Sequence, residues 1–152
     1  MQATPRPTRS KTGSSAPCVC ATLRKATRTV TLLYDAYLRP AGLRVTQYSL
    51  LKNVLAREPV AVNQLAHAMV ADRTTLTRNL RILQQGGYLA VREGQDRRAR
   101  EVTLTPQGRK ALVAGDRCWE QAQDYVLDRL GVERWNALRV ELGALIDLRG
   151  GR

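Results

Sequence analysis

Between positions 73 and 100 the chain places seven arginines and no lysine, against two acids, Glu93 and Asp96. A planar guanidinium fork fits phosphate, the edge of guanine and a narrow minor groove better than a flexible ammonium does. Thr74, Thr75 and Thr77 stand among these arginines, and small hydroxyls let a helix come close to base edges. If Leu76, Leu80 and Leu83 face a core at 100° per residue, then Thr74, Arg78, Arg81 and Gln85 fall on the opposite face, flanked by Thr75 and Thr77. Arg78 can then fork onto a guanine. Further on, Arg97, Arg98 and Arg100 follow Asp96 at the tip of an expected hairpin. Asp96 can hold an arginine by a bidentate pair, so that Arg98 enters a minor groove already ordered. A solvated helix face accounts for any single one of these arginines, but the ordered set points to duplex DNA.

The elements that must position them follow from caps and periodicity. Asp72 suits the N-cap of the arginine-bearing helix and Gly86-Gly87 its end. Residues 89–92 and 100–104 read as strands around Glu93-Gly94-Gln95-Asp96. Thr105-Pro106 supplies an N-cap followed by proline at the first helical position. Upstream, Leu23, Ala26, Val30, Leu33 and Tyr37 recur at steps of three and four, predicting a helix over 20–38 that Pro40 and Gly42 end. A second helix is expected over about 46–57, with Leu50, Leu51, Val54 and Leu55 inward and Pro59 stopping it. Asn63 would cap a short third helix carrying Leu65, Ala66 and Met69. Two helices close the chain, about 106–130 and 133–148, parted at Gly131, the last repeating Trp135, Leu138, Leu142 and Leu145. This divides the chain into a flexible basic arm (1–17), an N-terminal dimerisation helix (18–44), a DNA-reading unit (45–105) and C-terminal dimerisation helices (106–152). The terminal stripes exceed what so small a central unit can cover, so a second copy of the chain is expected on them through an isologous interface.

Bulk properties bound the alternatives. The chain has 152 residues, about one domain, and 25 Lys plus Arg against 13 Asp plus Glu give a net charge of +12, a field that attracts polyanions. An anionic membrane is the competing partner, but no apolar run approaches the roughly 18 residues of a spanning helix, and residues 1–17 carry no apolar signal-peptide segment. A cytoplasmic protein without membrane contact is expected. Three cysteines, Cys18, Cys20 and Cys118, are an odd number and form no obvious disulfide framework. The C-x-C spacing lacks a dense His or Cys partner for a metal, and the single histidine, His67, reads as half-buried and structural. No metal or cofactor is expected, and Trp119 and Trp135 read as packing for the dimerisation helices.

These residues resemble the MarR family of bacterial transcriptional regulators. The resemblance is carried by Asp72-Arg73-Thr74-Thr75-Leu76-Thr77-Arg78, by the Gly86-Gly87-Tyr88-Leu89 turn, and by the stretch from Asp96-Arg97-Arg98 to Leu104-Thr105-Pro106-Gln107-Gly108. A D-x-R wing followed by L-T-x-x-G is the most specific part. The resemblance implies a mainly α (α+β) fold, a winged helix-turn-helix whose long terminal helices form an intertwined dimerisation domain. It also implies a homodimeric regulator, a repressor, bound to a pseudo-palindromic double-stranded operator. A small molecule or an oxidant would release it. Thr74, Thr75, Thr77 and Arg78 fall on the family's major-groove positions and Arg98 on its wing arginine. Cys20, 14 residues before Tyr34 and 28 before Tyr48, resembles the organic-hydroperoxide-sensing branch, although Arg24 stands where that branch has a tyrosine and Cys18 adds a cysteine it does not require. Three other readings remain open: Cys20 as inert packing, Cys20 as the centre of a thiol-based hydroperoxide-reducing enzyme, and an architectural nucleic-acid binder driven by charge alone.

Overall fold

In the computed structural model, which describes residues 17–94 and 100–148, helix dominates. The order is α1 (Val19–Leu38), a 3-10 turn (Arg39–Ala41), α2 (Val45–Leu55), β1 (Val60–Ala61), α3 (Val62–Ala68), α4 (Arg73–Gln85), β2 (Leu89–Glu93), β3 (Arg100–Leu104), α5 (Pro106–Leu130) and α6 (Val132–Asp147). The strands form one antiparallel sheet in the order β1-β3-β2, with Val60 and Val91 both opposite Val102.

Apolar positions at helical spacing explain the packing. Leu50, Leu51 and Val54 of α2, Leu65 of α3, and Leu76, Leu80 and Leu83 of α4 close over Val102 and Leu104 of the sheet in one core. Several expectations are corrected. Leu55 ends α2 on the outside, 41 % exposed, while Val54 in the same turn is fully buried, because the 100° step carries Leu55 past the edge of the stripe formed by Leu50, Leu51 and Val54. Asn63 is not a cap, since α3 begins at Val62 with Ala61 before it and no side-chain cap bond. His67 is exposed rather than half-buried. Trp119 packs within its own chain, stacked on Tyr48 with ring centroids 6.2 Å apart.

Helix α5 joins this unit to the terminal helices. Thr105 caps it, its Oγ1 accepting the Gly108 N–H at 3.0 Å. A Cβ at Gly108 would lie 2.1 Å from the Tyr88 carbonyl oxygen, so the close approach of α5 to the start of β2 requires glycine there. That carbonyl accepts the Thr105 N–H at 3.1 Å, which gives the L-T-x-x-G motif its physical meaning: a cap, and a gap for the neighbouring backbone. About two turns beyond Gly108, Asp116 accepts the Tyr48 hydroxyl at 2.7 Å and lies 3.1 Å from Lys52 Nζ, tying α5 to α2. Burial and the bond to Asp116 raise the Tyr48 hydroxyl above its ordinary range, keeping it a donor.

By contrast, α6 buries no residue, and α1 buries only Tyr34 and Leu38. Val30, Leu32, Val140 and Ile146 are all exposed. No helix among the described residues is long and apolar enough to cross a membrane.

Candidate nucleic-acid interface

Helix α4 is built to show one polar face. Asp72 caps it, its Oδ1 accepting the Thr75 N–H at 2.8 Å. Bonds from the Thr75 hydroxyl and backbone N–H hold the Asp72 carboxyl below its usual range. Leu76, Leu80 and Leu83 are 2, 4 and 0 % exposed. Thr74, Thr75, Thr77, Arg78 and Arg81 are all exposed, as expected from the 100° step.

Two of the threonines are already engaged. The Thr77 hydroxyl donates to the Arg73 carbonyl at 2.7 Å, so its proton is held inward while a lone pair and a methyl group are left for an outside partner. Thr75 is drawn toward Asp72, leaving Arg73, Thr74 and Arg78 as the polar side chains of the first turn and a half with no such local bond described. The helix stops cleanly: Tyr88 N–H bonds Leu83 O and Gly87 N–H bonds Gln84 O, with Gly87 at φ 76°. This is the Schellman arrangement, and the positive φ is why glycine stands there. The turn that leads into α4 has the same form but places Val70 at φ 50°. A β-branched residue there is strained.

The hairpin rises beside α4. Arg100 is exposed at the start of β3, opposite Glu93, and Arg92 is exposed opposite Glu101. Asp96, Arg97 and Arg98, expected at the wing tip, lie outside the described residues. A cleft of about 460 Å³ between α4, the start of α3 and the sheet brings together Arg73, Thr77, Arg81 and Arg100. Its floor is Leu80 and Val91, and Asn63 and Gln84 complete the polar rim. The sequence does not mark Arg73, Asn63 or Gln84 as contact residues. Arg73 had a signal in the run of arginines, while Asn63 could be placed only by knowing how α3 meets α4.

The cysteine expectations divide. Cys18 is the N-cap residue of α1 and is exposed, as is Cys20, while Cys118 is half-buried against the core. Tyr34 is buried, and its hydroxyl donates to Gln123 Oε1 on α5. Cys20 and Tyr34 share one helix, 14 residues and so about 21 Å apart at 1.5 Å per residue, and are not brought together within a protomer. Among the described residues, no group of three His, Cys, Asp or Glu side chains is placed to hold a metal ion.

Helices α2 to α4 followed by the β2–β3 hairpin define a winged helix-turn-helix. No protein-family model matches the chain. Among solved structures, the M. tuberculosis transcriptional regulator MosR in complex with DNA is 35 % identical with a TM-score of 0.78, the match covering 84 % of this chain and 92 % of that one. A second structure of M. tuberculosis MosR is 32 % identical at TM-score 0.78, covering 90 % and 98 %. The E. coli MarR mutant complexed with operator DNA shares the fold at 18 % identity and TM-score 0.77, covering 83 % and 91 %. The Bacillus subtilis HTH-type transcriptional regulator YwoH is 25 % identical over 88 residues, 58 % of this chain and 64 % of that protein, so the match spans less than two thirds of that relative. The chain belongs to the MarR family of transcriptional regulators.

Proposed function

We propose that the chain is a homodimeric, sequence-specific DNA-binding regulator, acting in the cytoplasm as a repressor at a pseudo-palindromic operator. Helix α4 enters the major groove and the arginine hairpin reaches the minor groove. The observation that carries this reading is the division of α4 into a leucine face closed into the core and an open face of threonines and arginines, with Arg100 of the wing beside it. The DNA complex of MosR, a relative 35 % identical, supports it. In this reading Thr74, Thr77 and Arg78 meet base edges, Thr75 holds the first turn, and Arg81, Arg97 and Arg100 meet phosphates. Arg98, oriented by Asp96, enters the minor groove. The exposed apolar positions of α1 and α6 take a second copy, which sets two reading helices against two half-sites.

The test is selection of duplexes by the purified protein from fragments of its own genome, followed by binding of the selected duplex and a random one across salt concentrations. Steep salt dependence for both, with preference for the selected duplex, is expected. Equal binding of both would refute sequence-specific regulation.

Release by cysteine oxidation is a second element of the reading, favoured by the exposure of Cys18 and Cys20 beside Arg24, Lys25 and Arg28 in one shallow pocket. That exposure weighs against Cys20 as packing within the core of its own protomer. Hydroperoxide should release the wild-type protein from the selected duplex and leave Cys20→Ser bound. Equal release of both would eliminate Cys20 as the sensor, and catalytic turnover of hydroperoxide with a thiol reductant would favour an enzyme instead.

A further inference from the structure

The register of the sheet places Val60 opposite Val102 and Ala61 opposite Glu101, so Glu58 falls across from Leu104, beyond the two-residue strand β1. At that point the backbone ladder is replaced by a side chain. Leu104 N–H, which points away from β2, donates to Glu58 Oε2 at 2.7 Å. The other oxygen, Oε1, accepts from Arg109 Nη2 in the first turn of α5. The carboxylate is largely enclosed, with the Glu58 side chain 14 % exposed and that of Arg109 51 %. On the opposite side of the same corner, Thr105 N–H donates to Tyr88 O, Thr105 Oγ1 to Gly87 O, and Gln107 Nε2 to Gly86 O. The end of β3 is thus fastened to the end of α4 by one set of bonds. One carboxylate fastens it to the end of α2 and to α5.

We propose that Glu58 is a positioning residue for DNA reading: its carboxylate fixes the base of the arginine hairpin, and with it the direction of the wing relative to α4. This rests on the function proposed above. The leverage is geometric. Arg100 lies four residues beyond Leu104, about 13 Å along the strand at roughly 3.3 Å per residue. A tilt of about 10° at the base therefore moves it by about 2 Å, enough to break a hydrogen bond that tolerates only tenths of an ångström. Charge-assisted bonds are the stronger and more directional kind, and Glu58 makes two with one rigid group. Glu58 itself lies at the base of the hairpin and carries the wrong sign to contact phosphate.

Two variants separate position from charge. Glu58→Gln keeps the length and one acceptor but loses the ion pair to Arg109. Glu58→Asp keeps the charge but, one methylene shorter, cannot span Leu104 N–H and Arg109 together. The probe is a duplex selected by the wild-type protein from a random-sequence pool, compared with an unselected duplex. Both variants should bind the unselected duplex within about two-fold of wild type and the selected one on the order of ten-fold more weakly, the size expected for one charge-assisted bond. The loss should be confined to base pairs at the wing's outer positions. In the DNA-free protein, exchange of the Leu104 amide should rise about ten-fold in both variants while amides of α4 keep their rates. Wild-type exchange at Leu104, Glu58→Asp behaving as wild type on DNA, tighter binding of every duplex by Glu58→Gln, or equal weakening of both duplexes would each overturn the proposal. A wild-type protein that selects no sequence would instead overturn the function on which the proposal rests, and the Leu104 exchange would still decide whether Glu58 holds the hairpin's base.

Discussion

At the scale of single residues, the open face of α4 separates side chains that we propose recognise DNA from side chains that hold the helix. Arg78 has no partner among the described bonds and a free approach, so Arg78→Ala should cost about 1–3 kcal/mol of discrimination at one base pair. The measurement is binding to the selected duplex and its point variants, and a loss spread evenly over all variants would make Arg78 a phosphate contact. Asp72 belongs to the second group. Its carboxyl titrates lower in the folded chain than in the unfolded one, so its cap is fully present above about pH 4–5 and is lost as the pH falls through the depressed folded value. Helicity followed by circular dichroism should therefore stay flat from pH 8 to 5 in so far as this cap governs it, and a decline already at pH 6 would implicate another group. Val70, at φ 50°, is where a glycine belongs. Val70→Gly should leave the chain equally stable or more stable by up to about 1 kcal/mol, strain relief offsetting the greater freedom of the unfolded chain. Denaturant midpoints would decide it, and clear destabilisation would mean that the valine's packing outweighs its backbone.

At the scale of elements, what could be read from the sequence was what local chemistry decides. Asp72, Gly86-Gly87 and Thr105-Pro106 mark helix ends by their own hydrogen-bonding capacity, and α4 and α5 start and stop where those residues put them. Strand β1 escaped because two residues carry no periodicity, and it exists only because β3 offers an edge to pair with. Asn63 misled for a related reason: the chain enters α3 directly from that pairing, leaving no turn for a side-chain cap. Trp119 could not be assigned to Tyr48 rather than to a partner chain, since an apolar position at helical spacing does not say which chain covers it. Gly108 illustrates a motif legible as a pattern before its cause is known. Gly108→Ala would drive a methyl into the Tyr88 carbonyl, and because backbone yields poorly the cost should be about 2–3 kcal/mol, with thermal unfolding as the readout. A cost below about 0.5 kcal/mol would show that α5 can shift away.

At the scale of the whole molecule, the apolar surface left open on α1 and α6 asks for an occupant. Sedimentation should give a mass twice 16.9 kDa, and Leu32→Glu on α1 should shift it toward the single-chain mass while weakening operator binding more than random-duplex binding. An unchanged dimer in that variant would place the interface elsewhere. Two ties, Tyr48 and Lys52 of α2 on Asp116, and Glu58 just past the end of α2 on Arg109, join this segment to α5 and have a bearing on how such an assembly can respond. Fastened at Arg109 and Asp116, and brought close where Gly115 meets Tyr48 and Leu43, the first half of α5 cannot slide past α2 without breaking both ties. In the proposed dimer each protomer would then swing like a jointed arm whose elbow lies beyond Asp116, and a small turn there would alter the span between two hands that would have to match a duplex repeat of about 34 Å.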